Sequence, residues 1–423
     1  MYGLRRVFPR WLFIAVASVL ILSGFSTANA DATDQSTESS GSRWVATWSV
    51  PPMAPGSAFL PSRSFENQTV RQIVQISAGG TRVRARLSNE YGTGALIIGS
   101  AHVAFQSTGA SIVPGSDRTL TFGGQGSVVI AQGAVALSDP VNLYVPSNTS
   151  LTISLYVPQS TGLATYHASG NQTVYVSTPG DFSDAIDLPV QDSTSTSRYW
   201  LTFIEVLPLR NIGAFAIFGD SISEGATTTL DANRRVSDVL SHWFNPGPFP
   251  ANIAVLNQGT GCGRLLFDFC GPSGLSRFQR DVLNATGVSQ VLIEMGYGDI
   301  IFPTALGLPD QIVSAEQIID GLRQLIQQAH MTGLQVYGAT YPPNGSSTLA
   351  GVYTPENEAK RQAVNQWIRT TPELDGVADY DLALRDPSNP IQLLPAYNFG
   401  DGIHPNDAGH EALALTIAPL LLH

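Results

Sequence analysis

The strongest constraint on the fold of this chain is a change of rhythm at Pro208. From about Arg43 to Leu207 the pattern has period two. Val83, Ala85 and Leu87 alternate with Arg82, Arg84 and Arg86, and Leu151, Ile153, Leu155 and Val157 alternate with Thr152, Ser154 and Tyr156. Gly, Pro, Ser and Asn interrupt these runs at short intervals, the signature of an all-β sandwich, jelly-roll-like, over 43–207. The arginine stripe is expected to be a solvated strand face, with a ligand-binding face as the alternative. After Pro208 short apolar runs (Ala214 to Phe218, Ile253 to Leu256, Val291 to Met295, Leu334 to Thr340, Val377 to Tyr380) alternate with helical stretches. Arg234 to Phe244 is helical, the capping box Ser314-Ala315-Glu316-Gln317 opens a second helix, Thr354-Pro355 a third, and Asn406 to Leu421 forms the last. Strands alternating with helices predict a doubly wound α/β domain over 208–423, with about five parallel strands.

Composition narrows the classes. Of the 423 residues 13% are charged and 43% hydrophobic, enough to build a large core, and the net charge of −11 argues against a nucleic-acid partner. Arg5, Arg6 and Arg10 precede an apolar run from Trp11 to Leu22 and then Ala28-Asn29-Ala30. This is the pattern of a signal peptide over 1–30, with a retained anchor as the alternative. The run is short for a spanning helix, so no stable membrane insertion is expected. Residues 31–42, rich in Ser, Thr and acidic groups, read as a disordered leader, and the exported protein is expected to be secreted or periplasmic. The two cysteines, Cys262 and Cys270, suit a disulfide in an exported protein, with two buried thiols as the alternative. No His/Asp/Glu cluster has metal-ligand spacing.

Two segments carry chemistry. Gly219-Asp220-Ser221-Ile222-Ser223 follows the first apolar run, and Asp401-Gly402-Ile403-His404-Pro405 stands near the C-terminus. Together they offer a hydroxyl nucleophile, a base and an orienting carboxylate. Ser221 falls at a strand's carboxyl end, where reactive groups collect in such sheets. The other histidines (His102, His167, His242, His330, His410, His423) lack such company and are expected to be structural or exposed. Trp243, Trp367 and Tyr341-Pro342-Pro343 are candidates for a sugar or acyl pocket, with ordinary core or loop anchoring as the competing reading. Asn67, Asn148, Asn171, Asn284 and Asn344 lie in Asn-x-Ser/Thr sequons.

The chain resembles the SGNH, or GDSL-type, esterases and lipases, whose blocks carry Ser, Gly, Asn and His in that order. Gly219 to Gly225 is similar to the serine block and Asp401 to Gly409 to the last block. Asn257 to Arg264 is similar to the glycine block, and Gly296-Tyr297-Gly298-Asp299 to the asparagine block. The β region resembles the sandwich of secreted two-domain members. The resemblance implies a secreted serine esterase with no cofactor, expected to be a monomer, acting on acyl or acetyl esters of carbohydrates or small lipids. It assigns catalysis to Ser221, Asp401 and His404 and the oxyanion hole to Ser221, Cys262 and Gly298. Two positions depart from the pattern: Gly298 stands where the family has Asn, and Cys262 where it has the second glycine of a pair. Losing such a donor typically costs ~10²–10³ in turnover. A slow esterase follows, in which Gly298→Asn should raise turnover. Water or the Tyr297 hydroxyl could fill the vacated space, and Asn252 or Asn257 could replace the missing amide. The alternative is an inactive SGNH-fold protein that binds carbohydrate.

Overall fold

The computed structural model describes residues 43–55, 62–247 and 252–422. The expected signal peptide, the leader and His423 lie outside the described residues. Gly41–His423 form one compact unit.

The alternating half folds into antiparallel sheets. One joins Val45–Ser49, Leu201–Leu207, Gly80–Ser88 and Val135–Leu137, with Val141–Val145 also pairing to Gly80–Ser88. A second orders Val190–Ser195, Val174–Ser177, Gln68–Gln75, Ser150–Val157, Ser100–Phe105 and Arg118–Thr119. Val83, Ala85 and Leu87 from the first meet the same core as Leu151, Ile153 and Leu155 from the second, as the period of two requires. The arginine stripe is not the freely solvated face expected for it. Arg84 and Arg86 bracket the buried carboxylate of Glu205 at 2.6 and 2.8 Å, and lie over the rings of Trp44 and Phe203. Their charges neutralise an acid on the adjacent strand, and their flat guanidinium groups cover its aromatic neighbours.

The second half is a five-stranded parallel sheet of β1 (Ala214–Gly219), β2 (Ala254–Gly259), β3 (Val288–Glu294), β4 (Gln335–Ala339) and β5 (Gly376–Ala378). Their spatial order, β2-β1-β3-β4-β5, is the doubly wound, flavodoxin-like arrangement. Every residue of β1 is buried, which is why it reads as a continuous apolar run rather than an alternating one. The helices that bear on the site are α1 (Ser221–Glu224), α2 (Val236–Phe244), α3 (Tyr297–Ala305), α4 (Ala315–Met331), α5 (Pro355–Thr370) and α6 (Asp407–Ile417). The box at Ser314 caps α4, with Ser314 Oγ accepting from the Gln317 amide. No helix of the described residues is long and apolar enough to cross a membrane.

Candidate active site

The carboxyl end of β1 turns sharply into α1. Asp220 caps that helix by accepting from the Ile222 amide at 2.9 Å, which leaves Ser221 at the first helical position. The turn is clamped from below: Arg277 donates to Gly219 O at 2.8 Å and to Gln258 O at 2.9 Å, tying the ends of β1 and β2 together. Gly259 is required here, since a Cβ on it would lie 2.1 Å from the Glu224 amide.

The tail segment reaches this turn across 183 positions of sequence: Ser221 Oγ lies 2.8 Å from His404 Nε2. His404 Nδ1 lies 2.6 Å from Asp401 Oδ2, while Asp401 Oδ1 accepts from the Ile403 and His404 amides, each at 2.9 Å. Burial pushes the Asp401 carboxyl up, but the bonds from the His404 ring and from these amides outweigh it and hold the group at about 2. Asp401 is therefore an anion throughout the neutral range. An anion accepts, so Nδ1 carries the ring proton and Nε2 is the acceptor facing the serine hydroxyl.

The three residues border a cavity of about 450 Å3, with Ile301, Phe302, Leu349 and Ile403 as apolar wall. Cys262, Gly263 and Gly298 line it as well. Cys262 and Cys270 form a disulfide, and Cys262 has φ +56°, a left-handed conformation uncommon for a residue with a side chain. The following stretch is held to α3, where the Asp299 carboxylate accepts from the Leu266 amide at 3.2 Å and pairs with buried Arg264 at 3.3 Å. Phe269 packs on Phe302, with ring centres 5.2 Å apart.

The space expected to be vacant beside Gly298 is filled by main chain. A Cβ at 298 would lie 2.3 Å from Gly263 O and 3.0 Å from the Phe302 ring. The Tyr297 ring is turned into the core, stacked on Tyr341 at 5.7 Å. Neither expected substitute reaches the cavity: Asn257 donates to Ser223 O at 2.8 Å, and Asn252 is engaged with Phe244 O and Arg210. The expectation that Gly298→Asn raises turnover is therefore reversed on steric grounds, since even its first carbon displaces the Cys262–Gly263 main chain.

Several groups at the site were not legible beforehand. The buried Glu294 carboxylate accepts from the Asp220 amide at 3.2 Å and from Ser223 Oγ at 2.8 Å, directly beneath the nucleophile turn. Burial pushes Asp220 up to about 6, and burial together with the neighbouring Asp220 charge pushes Glu294 well above the usual carboxylate range. His167, expected to be structural or exposed, comes from the β region and faces Glu224 Oε1 at 3.1 Å, both nearly fully buried. His167 Nδ1 lies 3.0 Å from Pro51 O, and a carbonyl only accepts, so Nδ1 is protonated. Glu224 also borders the cavity, as does Ser169. No motif announces His167, although Glu224 lies within the serine block.

The remaining candidates disperse. His102 pairs with Asp117 at 2.8 Å, His330 with Asp375 at 3.1 Å, and His410 is fully buried, where desolvation holds it down at about 3. Trp367 packs against the core beneath Arg323, and Tyr341 is buried with its hydroxyl on Met295 O; both border a small apolar cavity away from Ser221, and Trp243 borders a third. Asn148 and Asn171 spend their amides on Asn245 O and Thr228 O, each near 2.9 Å. Among the described residues no group of three or more His, Cys, Asp or Glu side chains is arranged to hold a metal ion.

Residues 217–412 match the GDSL-like Lipase/Acylhydrolase family. No curated protein matches the chain. Among solved structures, a putative acylhydrolase from Bacteroides fragilis is 19% identical over 49% of this chain and 86% of its own, with a TM-score of 0.38. Est24, a carbohydrate acetylesterase from Sinorhizobium meliloti, is 14% identical over 49% of this chain and 98% of its own, at 0.39. The M. smegmatis aryl esterase is 15% identical with the same two coverages, also at 0.39. Likenesses at these scores carry neither substrate nor mechanism to this chain.

Proposed function

Because residues 217–412 match the GDSL-like Lipase/Acylhydrolase family, we propose that this protein is an exported serine esterase that hydrolyses carboxylic esters through an acyl-enzyme. The observation that carries the reading is the unbroken line from Ser221 Oγ to His404 Nε2 at 2.8 Å and from His404 Nδ1 to Asp401 at 2.6 Å. In this reading the hydroxyl attacks the ester carbonyl while Nε2 takes its proton. Asp401 fixes the ring tautomer and stabilises the imidazolium. The proton passes to the departing alkoxide, and a water activated by the same nitrogen releases the acid.

The developing oxyanion falls to main-chain amides, those of Ser221 and Cys262 with Gly298, because position 298 has no side chain to donate. Fewer donors imply lower turnover than an intact hole would give. The disulfide and the Asp299 contacts support the reading by holding the Cys262 amide in one place. The apolar wall of Ile301, Phe302, Leu349 and Ile403 suits the acyl portion of the ester. Reaction with a fluorophosphonate probe tests this. Labelling that disappears in Ser221→Ala is expected, whereas a folded parent that stays unlabelled would leave a binding protein in place of an enzyme.

A further inference from the structure

A second open cavity, of about 400 Å3, is lined by Asn233, Arg234, His242, Trp243, Asp407 and Glu411, with Gln75 and Val239 behind them. Trp243 keeps 38% of its surface exposed, a costly position for a large apolar ring unless something covers it. Arg234 and Glu411 are also exposed, and neither forms an ion pair among the described residues. The lining is partly oriented from behind. Asn233 Oδ1 is occupied by Gln172 Nε2 at 2.7 Å, so its NH2 is the free end. His242 Nδ1 donates to Asp238 O at 2.8 Å, which turns Nε2 outward as an acceptor when the ring is neutral. The surface thus offers a flat indole edged by donors (Arg234, Asn233) and acceptors (Glu411, His242).

Between this cavity and the catalytic one runs the segment from Ala226 to Arg234, which contributes its first residue to one and its last to the other. The segment is pinned along its length. Thr227 Oγ1 donates to Pro405 O at 2.7 Å, Thr229 gives its amide and hydroxyl to Asp407 at 2.8 and 2.7 Å, and Asp231 accepts from the Thr173 amide at 2.7 Å. Asp231 and Asn233 are held at φ +60° and +51°, a backbone that such bonds must stabilise. Likewise His404 borders the catalytic cavity while Asp407 and Glu411, on the same stretch of chain, border the second. A ligand long enough to cross this pinned segment would touch both.

We propose that the second cavity is a subsite for a neutral oligosaccharide, holding the chain whose acyl ester is presented to Ser221. A pyranose has an apolar C–H face that stacks on an indole and hydroxyls that both donate and accept, matching a platform edged by planar mixed groups. The carboxylates of Asp407 and Glu411 beside Arg234, on a chain of net charge −11, disfavour a polyanion. A lipid chain would need a continuous apolar trough, and here only Trp243, Val239 and Ala232 are apolar. The delivery role rests on the esterase reading; the binding itself does not.

The test is calorimetric titration of the full chain carrying Ser221→Ala with xylohexaose, cellohexaose and mannohexaose, fold being checked by thermal melting. At least one hexasaccharide is expected to bind. Trp243→Ala in the same background should weaken that binding at least tenfold, Trp243→Phe less than threefold, and Glu411→Gln by threefold or more. No binding of any of the three, or binding indifferent to Trp243→Ala and Glu411→Gln, overturns the proposal. If Trp243→Ala does not fold, exposed Glu411→Gln decides alone. Hydrolysis of 4-nitrophenyl acetate by the unmutated protein reads the esterase separately, so binding without hydrolysis refutes only the esterase, and hydrolysis without binding only the subsite.

Discussion

Gly298→Ala and Gly298→Asn separate the steric consequence of a side chain from the chemical one. A Cβ at 298 stands 2.3 Å from Gly263 O, where a carbon–oxygen contact wants roughly 3.3 Å, so about 1 Å must be found. The first turn of α3 cannot supply it, because Asp299, the next residue, anchors Leu266 and Arg264. The main chain of Cys262 and Gly263 has to move instead, at a stability cost of about 1–3 kcal/mol for an overpacked contact. The Cys262 amide moves with it. Losing one oxyanion donor lowers turnover by ~10²–10³, and a misplacement near 1 Å by ~10². Gly298→Ala should therefore show a Tm lowered by a few degrees and kcat on 4-nitrophenyl acetate reduced about a hundredfold, with KM little changed. Gly298→Asn adds an amide that at best recovers the donor its own Cβ displaces, so no net gain is expected. Steady-state kinetics beside thermal melting measure both. A Gly298→Asn protein with parental Tm and raised kcat would show that the loop yields freely and that the missing amide was the sole defect.

Reduction of Cys262–Cys270, or Cys270→Ser, frees a loop closed over eight positions, worth roughly 2–3 kcal/mol on the chain-entropy relation; kcat should fall with KM nearly constant, and unchanged kcat after verified reduction would separate the disulfide from the oxyanion loop. Asp401→Asn leaves His404 free to adopt the other tautomer and should reduce kcat by about 10³–10⁴ on the same ester; a loss below tenfold would mean that the Ile403 and His404 backbone alone orients the ring. Folding raises Asp220 to about 6 from an unfolded value near 3.9, so its contribution is present while it is protonated and is lost as pH rises from about 4 through 6. Asp220→Asn, which can still cap α1 but cannot titrate, should flatten the fall in Tm between pH 4 and 6, and an unaltered slope would place the titration elsewhere.

Local pattern and capping mark the five parallel strands and α2, α4, α5 and α6, because a strand covered on both faces and an amphipathic helix each impose a repeat of their own, whereas the short α1 and α3 that carry Ser221 and Gly298 show none. The run Ala214 to Phe218 and the box at Ser314 are read directly in this way. The meeting of Ser221 with His404 was legible only as two blocks with matching chemistry, since nothing in local pattern brings residues 183 positions apart into contact. The misreadings share a cause. A period-two stripe says which residues share a face, not whether that face meets water, so Arg84 and Arg86 read as solvated although Glu205 lies between them. A block comparison says which residue is missing, not what fills its place, so Gly298 suggested a vacancy where Gly263 O stands. His167 was invisible because its significance lies wholly in its partner, on another part of the chain.

The β region bears on chemistry through an edge. β2 is the outermost strand on its side of the parallel sheet, and an outermost strand presents unpaired main-chain groups that must be covered. Here Ser77 Oγ accepts from the Val255 amide at 2.9 Å, and Ser49 Oγ donates to Asn257 O at 3.1 Å. Both serines belong to the β region, so its side chains complete the bonding of the strand. That strand ends at Gly259 and runs through Thr260 and Gly261 into Cys262, so whatever fixes β2 also fixes the start of the oxyanion loop. At α1, His167 of the same β region faces Glu224 at 3.1 Å. The backbone amides we propose for the oxyanion hole are thereby held in place, since amides keep their aim only as well as the chain that carries them, while the donor missing at position 298 still implies a lower turnover.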